Sequence, residues 1–186
     1  MNTDHMQHGY TWHGQDVSGW IASEKYDGIR AYWDGETMWT RGGNAVPIPQ
    51  EWRDALPAGV HLDGEIFAGY GQRKKAEWFA RAGKYTEECT YRVFDAPSMP
   101  GCYADRMDYV EKVWNEDYTL ERIGGIPTAR WSQVEWWTID GIESARNDVA
   151  EIQAEGGEGL ILRHPDLAYT PGRTDRLLKL KTWEIN

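Results

Sequence analysis

Lys25 opens the run Lys25-Tyr26-Asp27-Gly28-Ile29-Arg30, and three charged segments follow it along the chain: Asp63-Gly64-Glu65, Glu158-Gly159-Leu160 and Lys179-Leu180-Lys181. A lysine becomes a nucleophile only when neutral. With an ordinary pKa of about 10.4, roughly one lysine in a thousand lacks its proton near neutral pH. Burial or neighbouring cations must therefore assist Lys25, and the pair Lys179 and Lys181 would act in that direction. Arginine cannot substitute, being permanently charged. Glu65 and Glu158 suit Mg²⁺, a hard cation that takes few protein ligands and keeps several waters while bridging phosphates. Asp63 has two readings, a turn cap around Gly64 or a member of the same site. Short charged triplets recur by chance, so the weight lies in their order along one chain.

These residues need a scaffold. Gly28 to Trp33, Asp34-Gly35 and Thr37 to Thr40 read as strand, tight turn and strand, which places Lys25 in the loop entering a sheet. Val60 to Phe67 and Thr90 to Phe94 read as further strands, with Asp63 and Glu65 sharing a face. Strands return at Leu160 to Arg163 and at Leu177 to Thr182. In the latter, alternation sends Lys179 and Lys181 to one face and Leu178 and Leu180 to the other. Apolar residues at three- and four-residue steps predict helices over Tyr103 to Trp114 and Asp140 to Glu155, with a shorter one over Arg73 to Arg81. Asp140 and Glu143 form a plausible capping pair, and Gly156-Gly157 a stop. Strands mixed irregularly with a few helices indicate the α+β class.

The 186 residues allow one domain with a sizeable core, and no Ser/Gly/Pro-rich linker marks a second. A formal charge of -10 argues against non-specific coating of nucleic acid, which depends on Lys and Arg replacing counterions. A local basic groove remains compatible with it. Cys89 and Cys102 read as ordinary reduced thiols, the five histidines form no zinc pattern, and no apolar stretch is long enough to span a membrane. The expectation is a soluble, cytoplasmic protein without a secretory signal. Eleven tryptophans are unusual; they read as core or groove wall, some able to stack on bases.

The ordered segments resemble the nucleotidyltransferase motifs of ATP-dependent DNA ligases, with most similarity to the smallest bacterial and viral members. The resemblance runs through Ser23 to Ala31 with Trp33-Asp34-Gly35, Thr40-Arg41-Gly42-Gly43-Asn44, Leu62 to Phe67, Val93-Phe94-Asp95, Gly157 to Arg163 and Leu178 to Lys181. It implies two twisted, mainly antiparallel sheets flanked by helices around a nucleotide cleft. It implies ATP as AMP donor to Lys25, with Mg²⁺ as cofactor and Mn²⁺ as a substitute. Lys179 and Lys181 would support the chemistry. Glu65 would help hold the ribose, Glu158 would lie near the metal, and both are its candidate ligands. Ser23 and Glu24 would meet the purine edge, and Arg30 and Arg41 would bind sugar and phosphate. Phe94, which composition alone would put in the core, would stack on adenine.

The resemblance also implies nicked duplex DNA as the partner of a monomer. Arg41, Arg73, Lys74 and Lys75 are candidate DNA contacts, although a run such as Arg73-Lys74-Lys75 is commonly a solvated helix face. Arg163 fits either the site or a surface pair. The chain stops just after the last lysine pair, so the expectation is one adenylation domain over residues 1–186, with the family's oligonucleotide-binding domain absent. RNA ligases and capping guanylyltransferases resemble the same motif series. The alternative of another class is an inactive nucleic-acid-binding module with this fold.

Overall fold

The computed structural model describes residues 6–121 and 130–181, with side chains to residue 115 in the first stretch. One five-stranded sheet contains β1 (Gln7–Thr11), β2 (Ile21–Glu24), β8 (Trp136–Thr138), β9 (Gly159–Arg163) and β10 (Gly172–Lys181), in the order β1-β10-β9-β2-β8. The other contains β3 (Ile29–Trp33), β4 (Met38–Thr40), β5 (Leu62–Phe67), β6 (Thr90–Asp95) and β7 (Trp131–Gln133), in the order β4-β3-β5-β6-β7. Pairing is antiparallel except for β1 with β10 and β6 with β7. Helices α1 (Gln50–Ala55), α2 (Arg73–Ala82), α3 (Tyr103–Glu121) and α4 (Ile142–Glu155) complete the fold. The α+β expectation of two mainly antiparallel sheets holds.

Each sheet buries one face. Ala31, Trp33, Leu62, Ile66, Tyr91 and Val93 pack with Trp52 of α1, Phe79 of α2 and Met107 and Val110 of α3. Ala22, Leu160, Leu162, Leu178 and Leu180 pack against Ala145 and Val149 of α4. Strand periodicity then points the opposite side chains of both sheets into the space between them. Leu178 and Leu180 are fully buried while Lys179 and Lys181 keep partial exposure, as the alternation predicts.

The Asp34-Gly35 turn forms as read. Asp34 Oδ1 accepts the backbone N–H groups of Glu36 and Thr37, and its Oδ2 accepts Trp39 Nε1–H. Gly35 has φ 93°, a conformation that disfavours a side chain. The Asp140 and Glu143 cap does not form. Gly141 occupies the N-cap, and Ser144 Oγ instead accepts the Asp140 N–H and donates to the Gly141 carbonyl. The Ser144 hydroxyl thus takes the Asp140 N–H that a Glu143 side chain would receive in a capping box. The stop read at Gly156-Gly157 stands, with Gly156 as the left-handed C-cap of α4. Five short elements, β1, β2, β7, β8 and α1, carry too few residues for periodicity to reveal them. Among the described residues, no helix is long and apolar enough to cross a membrane.

Candidate active site

Lys25 follows β2 directly, and its backbone N–H donates to the Gly159 carbonyl at 2.8 Å, which ties the loop to β9. Gly28 makes the next turn possible. A Cβ there would collide with the Ile66 carbonyl of β5, and the close approach lets Gly28 N–H donate to Glu65 Oε1 at 3.1 Å. The loop bearing Lys25 is thus anchored to both sheets.

Lys25 Nζ donates to Glu158 Oε2 at 2.5 Å, and Lys181 Nζ lies 3.2 Å from Glu158 Oε1. One carboxylate therefore bridges two amines contributed by distant parts of the chain. Burial is the main cause that lowers the Lys179 pKa, and the positive charges of Lys25, Arg173, Lys181 and Arg41 add to it. Burial also pushes the Glu65 carboxyl up to about 7, against the opposing pull of Lys25, Gly28 N–H, Arg30 and Arg73.

Arg30 and Asp63 form a two-pronged pair: Nε to Oδ1 at 3.0 Å and Nη2 to Oδ2 at 2.6 Å. Tyr169 O–H also donates to Asp63 Oδ2, at 2.7 Å. Asp63 is fully buried and lies within β5, so the turn-cap reading is replaced by a structural one: it aims Arg30. Phe94 owes its position to a β-bulge. Asp63 pairs with Asp95 and Gly64 with Val93, which leaves Phe94 as the extra residue of β6. It is half-buried at the cleft, with the guanidinium carbons of Arg30 and Arg163 5.4 and 5.8 Å from its ring centre.

The surface-pair reading of Arg163 fails. The residue is 3 % exposed, donates to Ser23 Oγ at 2.8 Å and stacks on Tyr103 at 4.4 Å. Its place at the end of β9, opposite Ile21 in β2, turns it inward beside Ser23 rather than outward.

A cleft of about 190 Å³ opens between the sheets. Ser23, Glu24, Lys25, Arg30, Arg41, Glu65, Phe94 and Lys179 from the sequence reading line it, and Glu158 and Lys181 join through Lys25. Arg73 stands close by, paired with Asp27 at 2.7 Å. Lys74 is exposed and Lys75 lies 3.9 Å from Glu88, so the structure does not bring either to the cleft wall. None of the described tryptophans lines the cleft. Sequence reasoning missed Gln7, His8 and Tyr169, which reach the site from short or irregular segments that carry no periodic signal.

Among the described residues no group of three His, Cys, Asp or Glu side chains is gathered for a metal. The donor chemistry nonetheless fits Mg²⁺, which needs only one or two carboxylates when substrate phosphates and waters complete its shell. Glu65 and Glu158 are two such carboxylates, each interacting with Lys25.

The model for the ATP-dependent DNA ligase domain matches residues 13–181. A DNA ligase of Haemophilus influenzae is 27 % identical over 175 residues, covering 93 % of this chain and 62 % of its own length. A solved Lig E DNA ligase superposes with TM-score 0.80 at 24 % identity, over 95 % of this chain and 68 % of the other. The Chlorella virus DNA ligase-adenylate gives 0.77 at 20 %, over 95 % and 66 %. The bacteriophage T7 ATP-dependent DNA ligase, solved with ATP, gives 0.66 at 15 %, over 97 % and 69 %. The chain thus spans less than two thirds of its curated relative, and the structural likenesses establish a shared fold. With the family model covering nearly all of the described residues, the chain belongs to the ATP-dependent DNA ligase domain family.

Proposed function

We propose that this chain is the adenylation domain of a DNA ligase that seals a 5′-phosphate to a 3′-hydroxyl at a nick through a lysyl-AMP intermediate. The observation that carries the reading is the Lys25–Glu158–Lys181 cluster at the wall of a cleft lined by Phe94, Arg30 and Arg41. It joins a nucleophile, an aromatic face and phosphate-binding cations in one place.

In the first step the neutral Lys25 amine attacks the α-phosphorus of ATP. The N–P bond forms as the bond to the bridging oxygen breaks, pyrophosphate leaves with the electron pair, and the amine releases its proton. Glu158 holds Lys25 in place and receives its N–H. Lys179 and Lys181 offset phosphate charge, and Arg30, held rigid by Asp63, binds sugar or phosphate oxygens. Phe94 stacks on the adenine. Mg²⁺, or Mn²⁺ in its stead, bound by Glu65 and Glu158 would supply charge neutralisation at the phosphates. AMP then passes to the 5′-phosphate of nicked duplex DNA, and the 3′-hydroxyl displaces it. Alignment and charge neutralisation are the protein's main contributions to these steps.

Action as a monomer belongs to the same reading. Free Cys89 and Cys102 support a reducing compartment such as the cytoplasm. We also infer that residues 1–186 act as one nucleotidyltransferase domain and gain from a separate oligonucleotide-binding domain.

Incubation with α-labelled ATP, followed by denaturation and peptide mapping, tests the reading. Acid-labile label is expected on Lys25 and is expected to vanish in Lys25→Ala and in Lys25→Arg, since neither supplies a neutral amine. Label on another lysine would overturn the assignment.

A further inference from the structure

His8 precedes the residues that the family model matches, yet its side chain lines the cleft. It sits on β1, the edge strand beside β10, directly opposite Arg173 in the pairing register. Arg30 Nη1 lies 3.2 Å from His8 Nδ1. A guanidinium has donors only, so Nδ1 must accept, and the imidazole proton must reside on Nε2. Arg30 thereby selects one tautomer, a neutral ring that presents an N–H donor at the opposite corner.

The surroundings favour an anion. Arg30, Arg41 and Lys179 all act on His8, and among these leading influences Asp63 alone is acidic. Both Asp63 oxygens are already engaged, by Arg30 and by Tyr169. Burial, followed by the charges of Arg30 and Arg41, lowers the His8 pKa to about 4. The ring accordingly stays neutral, and its donor is retained, throughout the physiological range.

We propose that His8 is a third donor, beside Arg30 and Arg41, of an oxyanion site in the cleft, its Nε2–H binding a phosphate oxygen. The inference rests on the ligase reading, which supplies two sources of that oxyanion: the phosphates of ATP and the 5′-phosphate of the nick. A neutral donor adds binding and direction to such a site without adding a fourth positive charge to a cluster already rich in them.

Two variants separate donation from mere support of Arg30. Asn places an amide oxygen near the Nδ1 position and so retains an acceptor for Arg30, but has nothing to donate at Nε2. Gln reaches the Nε2 position with an amide N–H. One arm measures ATP concentration dependence in Lys25 labelling by the full chain. The other measures binding of the adenylated chain to a nick bearing either a 5′-phosphate or a 5′-hydroxyl. His8→Asn is expected to weaken one arm by roughly tenfold, the usual scale for a hydrogen bond to a charged group. His8→Gln should stay within about threefold of the parent on the same scale. Weakening in the first arm assigns the oxyanion to ATP; weakening confined to the 5′-phosphate nick assigns it to DNA.

Asn matching the parent in both arms overturns the proposal, as does Gln failing as badly as Asn, or equal loss on the 5′-hydroxyl nick. Imidazole NMR of the unaltered chain provides a check independent of folding in the variants. The His8 resonances should shift on addition of ATP or of a 5′-phosphorylated nick, and unmoved resonances in both titrations overturn the inference. A parent chain that labels Lys25 while the His8 tests fail defeats this inference alone. A parent that never labels Lys25 defeats the ligase reading, while the NMR titration still reports on His8.

Discussion

Glu65→Gln is expected to make the protein more stable, by an amount that grows with pH. Gln keeps the shape of Glu65 and an oxygen able to accept Gly28 N–H, but removes the ionisation. Burial holds the folded Glu65 pKa at about 7, above its ordinary value of 4.5. Below pH 4.5 the group is protonated in the folded and unfolded chains alike. As pH rises toward 7, the unfolded chain releases the proton and the folded chain retains it, so stability falls by about 1.4 kcal/mol per pH unit. Over the whole interval the loss reaches about 3 kcal/mol, and above pH 7 it is complete. The variant is spared this loss. Urea unfolding of both proteins between about pH 4.5 and 8 therefore yields curves that meet at the acid end and separate toward the alkaline end. Groups such as His8 and Glu24 titrate in both proteins and cancel in the difference. A difference that stays flat with pH would refute the reasoning, because it would mean that Glu65 ionises in the fold as it does in water.

Phe94→Leu should preserve much of the packing around the β6 bulge but lose the aromatic face, weakening ATP binding while changing the melting temperature little. Equilibrium ATP titration with a parallel thermal melt checks this, and normal affinity with lost stability would return Phe94 to the core. Arg106→Met should leave Asp95 buried without the two hydrogen bonds it accepts from Arg106 and release the carbonyls of Gly101 and Leu167. Breaking such a buried pair costs about 3–5 kcal/mol. That corresponds to a fall of roughly 10 °C in melting temperature for a chain of this size. Fusion to an oligonucleotide-binding domain should accelerate Lys25 labelling and improve nick binding, since a second surface then orients pyrophosphate and encircles the duplex. Equal rates with and without the fusion would show that residues 1–186 suffice for the reaction.

Local chemistry was legible along the chain. The Asp34-Gly35 hairpin depends on one turn whose hydrogen bonds lie within six residues, and the division of Lys179 and Lys181 from Leu178 and Leu180 follows from strand geometry alone. The order of charged segments carried the candidate nucleophile and its attendants in the same way. Pairings across the fold left no such trace. Arg30 meets Asp63 and Tyr169, Arg163 meets Ser23, and His8 reaches the cleft because β1 lies parallel to the far end of β10. The bulge that frees Phe94 arises from register between β5 and β6, not from any residue within β6. Strand alternation settles which face a side chain occupies, but the partner across the face is set by sheet order and register, which emerge only when both sheets bury their apolar sides together.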